Sequence, residues 1–181
     1  FTDEQREEMV RGLSRTVAGY GRLREYPLPN SVPPALYFDP QPPGVPLPAG
    51  SSALRKSAAE RVERPRDLEE VAFWPVTRLS ELVRTRQVTA TELTRMYLDR
   101  LKRFDPTLRC VVNLTEERAL RQAAQADAEI AAGRYRGPLH GIPWGAKDLL
   151  ATKGYPTTFG AAPYRDQVID EDATVVRRLD E

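Results

Sequence analysis

Gly137-Pro138-Leu139-His140-Gly141-Ile142-Pro143-Trp144-Gly145-Ala146-Lys147-Asp148 is the stretch on which the reading of this chain turns. A short, partly apolar run punctuated by glycines ends in a cation that is expensive to bury. Ile142 to Ala146 reads as a strand, with Lys147 at its end. Burial disfavours the charged form of a lysine, so a lysine at the end of a core-like strand is a candidate base. Only the neutral amine can take a proton, and with a reference pKa of about 10.4 that form is rare near pH 7. Moving it down by three units costs about 4 kcal/mol, which the rest of a fold must supply. Asp148 complicates the site, because a carboxylate close in space would hold the lysine charged. Consecutive side chains on a strand point to opposite faces, so the two would diverge. Chemistry alone favours a salt-bridged strand-end lysine over a base.

The pattern on either side alternates helix with short strand. Upstream, Glu116 to Ala132 has an acidic start, an alanine-rich middle and Gly133 as its cap, which predicts a helix with a shallow face suited to close packing on a sheet. Before it, Leu108 to Leu114 is β-rich. Thr89-Ala90-Thr91-Glu92 is a capping box, followed by Leu93, Met96, Tyr97 and Leu101 on one face, and Asp105-Pro106 predicts the stop. Leu79, Leu82 and Val83 mark a shorter amphipathic helix. Downstream, Thr152 to Asp166 is a loop rich in Gly, Pro and Thr. Asp170 to Leu179 opens a helix with acids first and arginines later, which suits the macrodipole.

The beginning of the chain is different. Thr2-Asp3-Glu4-Gln5 is another capping box, and Met9, Leu13, Val17 and Tyr20 give a helix from about Asp3 into the low twenties. Nine prolines then fall between Pro27 and Gly50, which excludes helix and central strand and predicts an extended arm. Leu36, Tyr37 and Phe38 predict that the arm docks on something apolar. Residues 51–66 are polar and weakly patterned. The division this suggests is 1–75 for the helix and arm, and 76–181 for an α/β domain. Strands are few, and the sheet they make would be thin.

Composition removes several classes of function. Of 181 residues, 27 are basic and 26 acidic, so the net charge of +1 leaves no nucleic-acid footprint. No run approaches the roughly 20 apolar residues of a membrane span. Cys110 is the single cysteine, which rules out an intrachain disulfide. Arg109-Cys110-Val111-Val112 reads as buried strand, so an inert core thiol is expected. His140 is the single histidine, lacks an acidic partner at an informative spacing, and reads as a loop anchor. No cluster of histidines and cysteines points to a transition metal.

Four pieces of the chain stand in an order that resembles the amidase signature hydrolases. They are Gly-Pro-Leu-His-Gly-Ile-Pro at 137–143, Lys147-Asp148, Gly154-Tyr155-Pro156-Thr157-Thr158 with Gly160 and Ala161, and Asp172-Ala173-Thr174-Val175-Val176-Arg177-Arg178-Leu179. Thr91-Glu92-Leu93, Asn113 and the alanine-rich helix fit the family's lead-in, so the likeness runs from about Val76 to Glu181. It implies a mixed sheet flanked by helices and a mechanism. One serine attacks an amide carbonyl, and a second serine, on a cis peptide bond, relays the proton to a buried lysine, forming an acyl-enzyme. Lys147 matches that lysine. Asp148, Thr157, Thr158 and Gly160 match residues that sit near it. No cofactor and no metal is implied.

The family's serine-rich stretch is expected beyond Glu181, and Ser51-Ser52 lies in the wrong order to replace it. The expectation is that residues 1–181 alone hydrolyse nothing. The partners implied are a small-molecule amide and the remainder of the same protein, without nucleic acid or membrane, and with a homodimer left open. A start at Phe1 together with the arm favours an exported or periplasmic protein over a cytoplasmic one. Two other functions stay in view: an amidotransferase A-type subunit that delivers ammonia to aminoacyl-tRNA, and a non-catalytic binding or scaffold fragment.

Overall fold

The computed structural model describes residues 1–29, 32, 35, 36, 38, 41, 44–46 and 61–181. The chain forms two units, Phe1–Leu54 and Arg55–Glu181. In the first, α1 (Asp3–Arg24) starts as expected. Thr2 Oγ1 accepts the Gln5 N–H and Gln5 Oε1 accepts the Thr2 N–H. No residue of α1 is buried. Leu36 and Phe38, expected to dock, are 94 % and 83 % exposed. Tyr37, Ser51, Ser52 and most of the nine prolines of the arm lie outside the described residues.

The second unit is built around α2 (Val76–Arg84), α3 (Ala90–Leu108), α4 (Glu116–Ala131) and the short α5 (Thr174–Asp180). Leu79, Leu82 and Val83 of α2 meet Leu93 and Met96 of α3 and Ile130 of α4, with Val62, Val71 and Val88 closing the cluster. The capping box of α3 forms, with Glu92 N–H on Thr89 Oγ1 at 3.0 Å and Thr89 N–H on Glu92 Oε2 at 2.9 Å. Asp127 of α4 adds to it. Its carboxylate accepts the Ala90 and Thr91 N–H groups at 2.6 and 3.0 Å, satisfying donors that a helix start leaves free. The alanines of α4 therefore serve a different contact from the one expected. Ala123 and Ala126 pack with Ala90 at the start of α3, helix on helix.

The described residues contain no strand; their only bridge is the isolated antiparallel pair Pro156 and Val168. Two expected strands are replaced by other uses of the backbone. α3 runs through Pro106 to Leu108 and ends on Arg109 at φ 50°. The Asp105 carboxylate then takes the Cys110 and Val111 N–H groups at 2.7 and 2.8 Å, which ties up the donors a strand would have offered. Cys110 is exposed rather than buried. Residues 142–147 run without turn or helix, and no segment among the described residues forms a ladder with them.

Candidate active site

The glycine-punctuated stretch is fixed at its start by packing. Gly141 has φ +78°, and a Cβ there would lie 2.8 Å from the Ala90 Cβ, with Val83 and Ala126 close behind. Only glycine combines that backbone with that approach. The contact sets the loop against the meeting point of α2, α3 and α4.

His140 completes the anchorage. Its side chain is 1 % exposed. Nδ1 accepts the Arg136 N–H at 3.1 Å, so the proton of the neutral ring sits on Nε2. Nε2 lies 3.2 Å from Glu129 Oε2, a close contact without the alignment of a hydrogen bond. Glu129 is the acidic partner that spacing in the sequence does not reveal. Arg136 Nε reaches the same carboxylate oxygen at 3.1 Å, and Gln125 donates to the other. Burial pushes the imidazole below its ordinary value and the Arg136 charge adds to this, against the opposing pull of Glu129. His140 is thus held neutral as a structural anchor.

Lys147 lies in the irregular run and is exposed, so the expectation of a buried strand-end lysine does not hold for this chain. Its side chain has no ion-pair or hydrogen-bond partner among the described residues. Its carbonyl accepts the Leu149 and Leu150 N–H groups at 2.7 and 2.9 Å, which turns the chain sharply after it. Asp148 does not pair with Lys147. Its carboxylate accepts the Thr158 N–H at 2.8 Å, the Thr158 hydroxyl and the Gly160 N–H at 3.4 Å, while its carbonyl accepts the Phe159 N–H at 3.1 Å. Burial pushes the Asp148 carboxyl up, and these donors outweigh burial, leaving it below the usual carboxylate range. Phe159 and Gly160 adopt φ 55° and 69°, which aims the successive amides of 158–160 at one residue.

The remaining motif pieces close around this clamp. Thr157 is buried with its N–H on the Gln167 carbonyl at 2.8 Å, and Gln167 returns a bond to the Thr157 carbonyl at 2.9 Å. Asn113 donates to the Pro156 carbonyl at 2.8 Å. Asp172 accepts the Lys153 N–H at 2.9 Å and Arg118 Nη1 at 3.3 Å, and Arg118 also reaches Asp180. Of the residues singled out in the sequence, Asp148, Thr158 and Gly160 come together next to Lys147. Thr157 belongs to the supporting side of the same loop. Among the described residues no group of three acidic, histidine or cysteine side chains could hold a metal.

Residues 92–181 match the Amidase family. The segment that carries this site is similar to that family. The chain is 43 % identical over 113 residues to the putative amidase AmiD of Mycobacterium tuberculosis, a match covering 62 % of this chain and 24 % of that protein. It is also 43 % identical over 103 residues to the A-type subunit of the glutamyl-tRNA(Gln) amidotransferase of Heliobacterium modesticaldum, covering 57 % of this chain and 21 % of that protein. Among solved structures it resembles the native peptide amidase of Stenotrophomonas maltophilia. The TM-score is 0.56 and the identity 38 %, over 60 % of this chain and 23 % of that one. The chain therefore spans about a quarter of the length of the relatives it matches. In amidase terms, the stretch from Gly137 to Leu179 is assembled here with its pieces hydrogen-bonded to one another, and Lys147 is left open.

Proposed function

We propose that this chain forms the leading part of an amide hydrolase in which Lys147 is the terminal base of a Ser–cisSer–Lys relay. The observation that carries this reading is the clamp of residues 158–160 on Asp148. It fixes the backbone next to Lys147 and occupies the neighbouring carboxylate, so that Asp148 does not pair with the lysine. The reaction then follows from the resemblance. A serine of the remaining domain attacks the carbonyl of a small amide, its proton passes through the second serine to Lys147, and the lysine returns a proton to the departing amine.

A lysine can act in this way only when shielded from water. We infer that the rest of the amidase domain supplies the shielding, and that residues 142–147 become a strand of a mixed sheet when it does. The N–H groups of residues 144–148 donate no hydrogen bond among the described residues. Such a run is a set of donors waiting for a ladder partner. Trp144, Leu149 and Phe159 are exposed beside it and offer apolar surface for that cover. The second reading, an amidotransferase A-type subunit delivering ammonia to aminoacyl-tRNA, rests on the equal identity to the Heliobacterium protein.

The complete gene product distinguishes these readings when assayed on simple amides and peptide amides. Hydrolysis of an amide without any partner subunit, and loss of that activity on treatment with a serine-directed phosphonate, are the expected results. Release of ammonia only from glutamine, and only with partner subunits and aminoacylated tRNA, would favour the second reading. An active protein that resists the phosphonate would overturn the serine mechanism.

A further inference from the structure

Lys147 lies in a stretch, residues 134–160, that contains no helix and no strand. Its place is therefore set by where that stretch is tied to the helices. Upstream the tie is the close approach of Gly141 to Ala90. Downstream, the backbone leaves Lys147 through the turn closed by the lysine's own carbonyl and reaches Ala151, whose carbonyl accepts the Ala173 N–H at 2.8 Å. Two residues on, the Lys153 N–H donates to Asp172 Oδ1 at 2.9 Å. Both bonds end on the segment just before α5. They fix the turn after Lys147 only as firmly as that segment is itself fixed.

Arg118 supplies that fixing. It stands in the first turn of α4, a helix held in the body of the unit by Ala123, Ala126 and Ile130, and its side chain is 15 % exposed. Nη1 donates to Asp172 Oδ1 at 3.3 Å, the same oxygen that takes the Lys153 N–H. Nη2 donates to Asp180 Oδ2 at 2.5 Å, where Gln122 Nε2 holds the other oxygen at 2.9 Å. A planar guanidinium can grip two carboxylates at once, which the single ammonium of a lysine does poorly. The two grips differ in what they reach. The one on Asp180 joins α4 to α5, and the one on Asp172 continues through the Lys153 amide to the turn after Lys147. Asn113 holds the far side of the same loop through the Pro156 carbonyl. We propose that Arg118 is a positioning residue for Lys147, acting through Asp172 to hold the turn that follows the lysine against α4; this rests on the reading of Lys147 as the base.

The complete gene product tests this, with kcat, KM and the pH dependence of kcat/KM measured at a temperature where every variant is folded. Arg118→Ala should lose kcat about 10–100-fold with KM unchanged, since a small misplacement of a reacting group is costly. The acid limb of kcat/KM should move up by about half a pH unit or more, because a lysine less well shielded from water keeps its proton to higher pH. Lower stability alone leaves that limb in place. Arg118→Lys should recover part of the rate. Asp172→Asn breaks the tie from its other end and should move the limb the same way; it carries the test if Arg118→Ala does not fold. Asp180→Asn breaks the other grip and should lower the unfolding temperature without moving the limb. Folded Arg118→Ala and Asp172→Asn proteins with the parent kcat and acid limb, where Lys147→Ala is inactive, overturn the proposal and leave the base in place. An Asp180→Asn protein whose limb moves as far as that of Asp172→Asn also overturns it. A Lys147→Ala protein at the parent rate removes the base and the proposal together.

Discussion

Asp148 spends its carboxylate on the loop that follows it rather than on the lysine that precedes it. The hydroxyl of the buried Thr158 is one of the donors in that clamp. Thr158→Val keeps the shape and removes the donor, so it should cost about 1 kcal/mol, read as a lower urea midpoint with an unchanged slope. An unchanged midpoint would mean that the backbone amides hold the loop by themselves. His140 makes a pH prediction. Burial holds its folded pKa below the unfolded value of about 6.5. As the pH falls, the unfolded chain takes up the proton first. The contribution of neutral His140 is therefore complete above about pH 6.5 and lost as the pH drops from there through the folded value. The urea midpoint should fall between about pH 7 and about pH 5, and that fall should flatten in His140→Gln. Asp148 and Asp172, held below the usual carboxylate range, lose their contributions only in a lower window, below about pH 4. At this scale the sequence is partly readable. Lys147-Asp148 stands out because a charged pair follows an apolar run. Glu129 does not, because its contact with His140 depends on the phase of α4 and on the turn at Gly137 to Gly141 together, and spacing along the chain encodes neither.

Helices are legible and strands are not, for a physical reason. A capping box is local: Thr2 with Gln5 and Thr89 with Glu92 close within one turn, and both form as their letters predict. A strand needs donors and acceptors from a distant segment. Leu108 to Leu114 has the β-rich letters, but Asp105 is close enough to capture its first amides. Pro106 does not stop α3, because the residues after it keep a helical path to the left-handed Arg109. Two substitutions test the contacts that position the site. Asp127→Ala leaves the Ala90 and Thr91 amides at the start of α3 without their acceptor and should cost about 1–2 kcal/mol in a urea titration. Gly141→Ala puts a methyl where the Ala90 Cβ already stands, on a backbone that resists it. The loss should exceed 1 kcal/mol, on the order of 1–3 kcal/mol, with the 137–148 amide resonances displaced as well. A neutral Gly141→Ala would show that the loop does not sit against α3 as described.

In the molecule as a whole, an assembled motif stands beside an open lysine. Residues 92–181 carry the family's leading pieces and tie them to one another, yet Lys147 is exposed and the N–H groups of 144–148 have no acceptor among the described residues. The isolated chain should therefore release no product from any simple amide, and the amides of 144–148 should exchange with solvent within the dead time of the measurement. Slow exchange there would place a ladder partner within residues 1–181. The family is legible because the order of four motifs survives where no single one is decisive. The environment of Lys147 is not, because shielding belongs to surfaces contributed from far along a chain. The most direct measurement is the steady-state rate of amide hydrolysis by the complete gene product and by its Lys147→Ala variant, both checked for the same thermal unfolding transition. A base at Lys147 predicts a loss of kcat of about 10²–10⁴-fold or more in the variant, with folding intact. A folded Lys147→Ala protein that hydrolyses amides at the parent rate would contradict it.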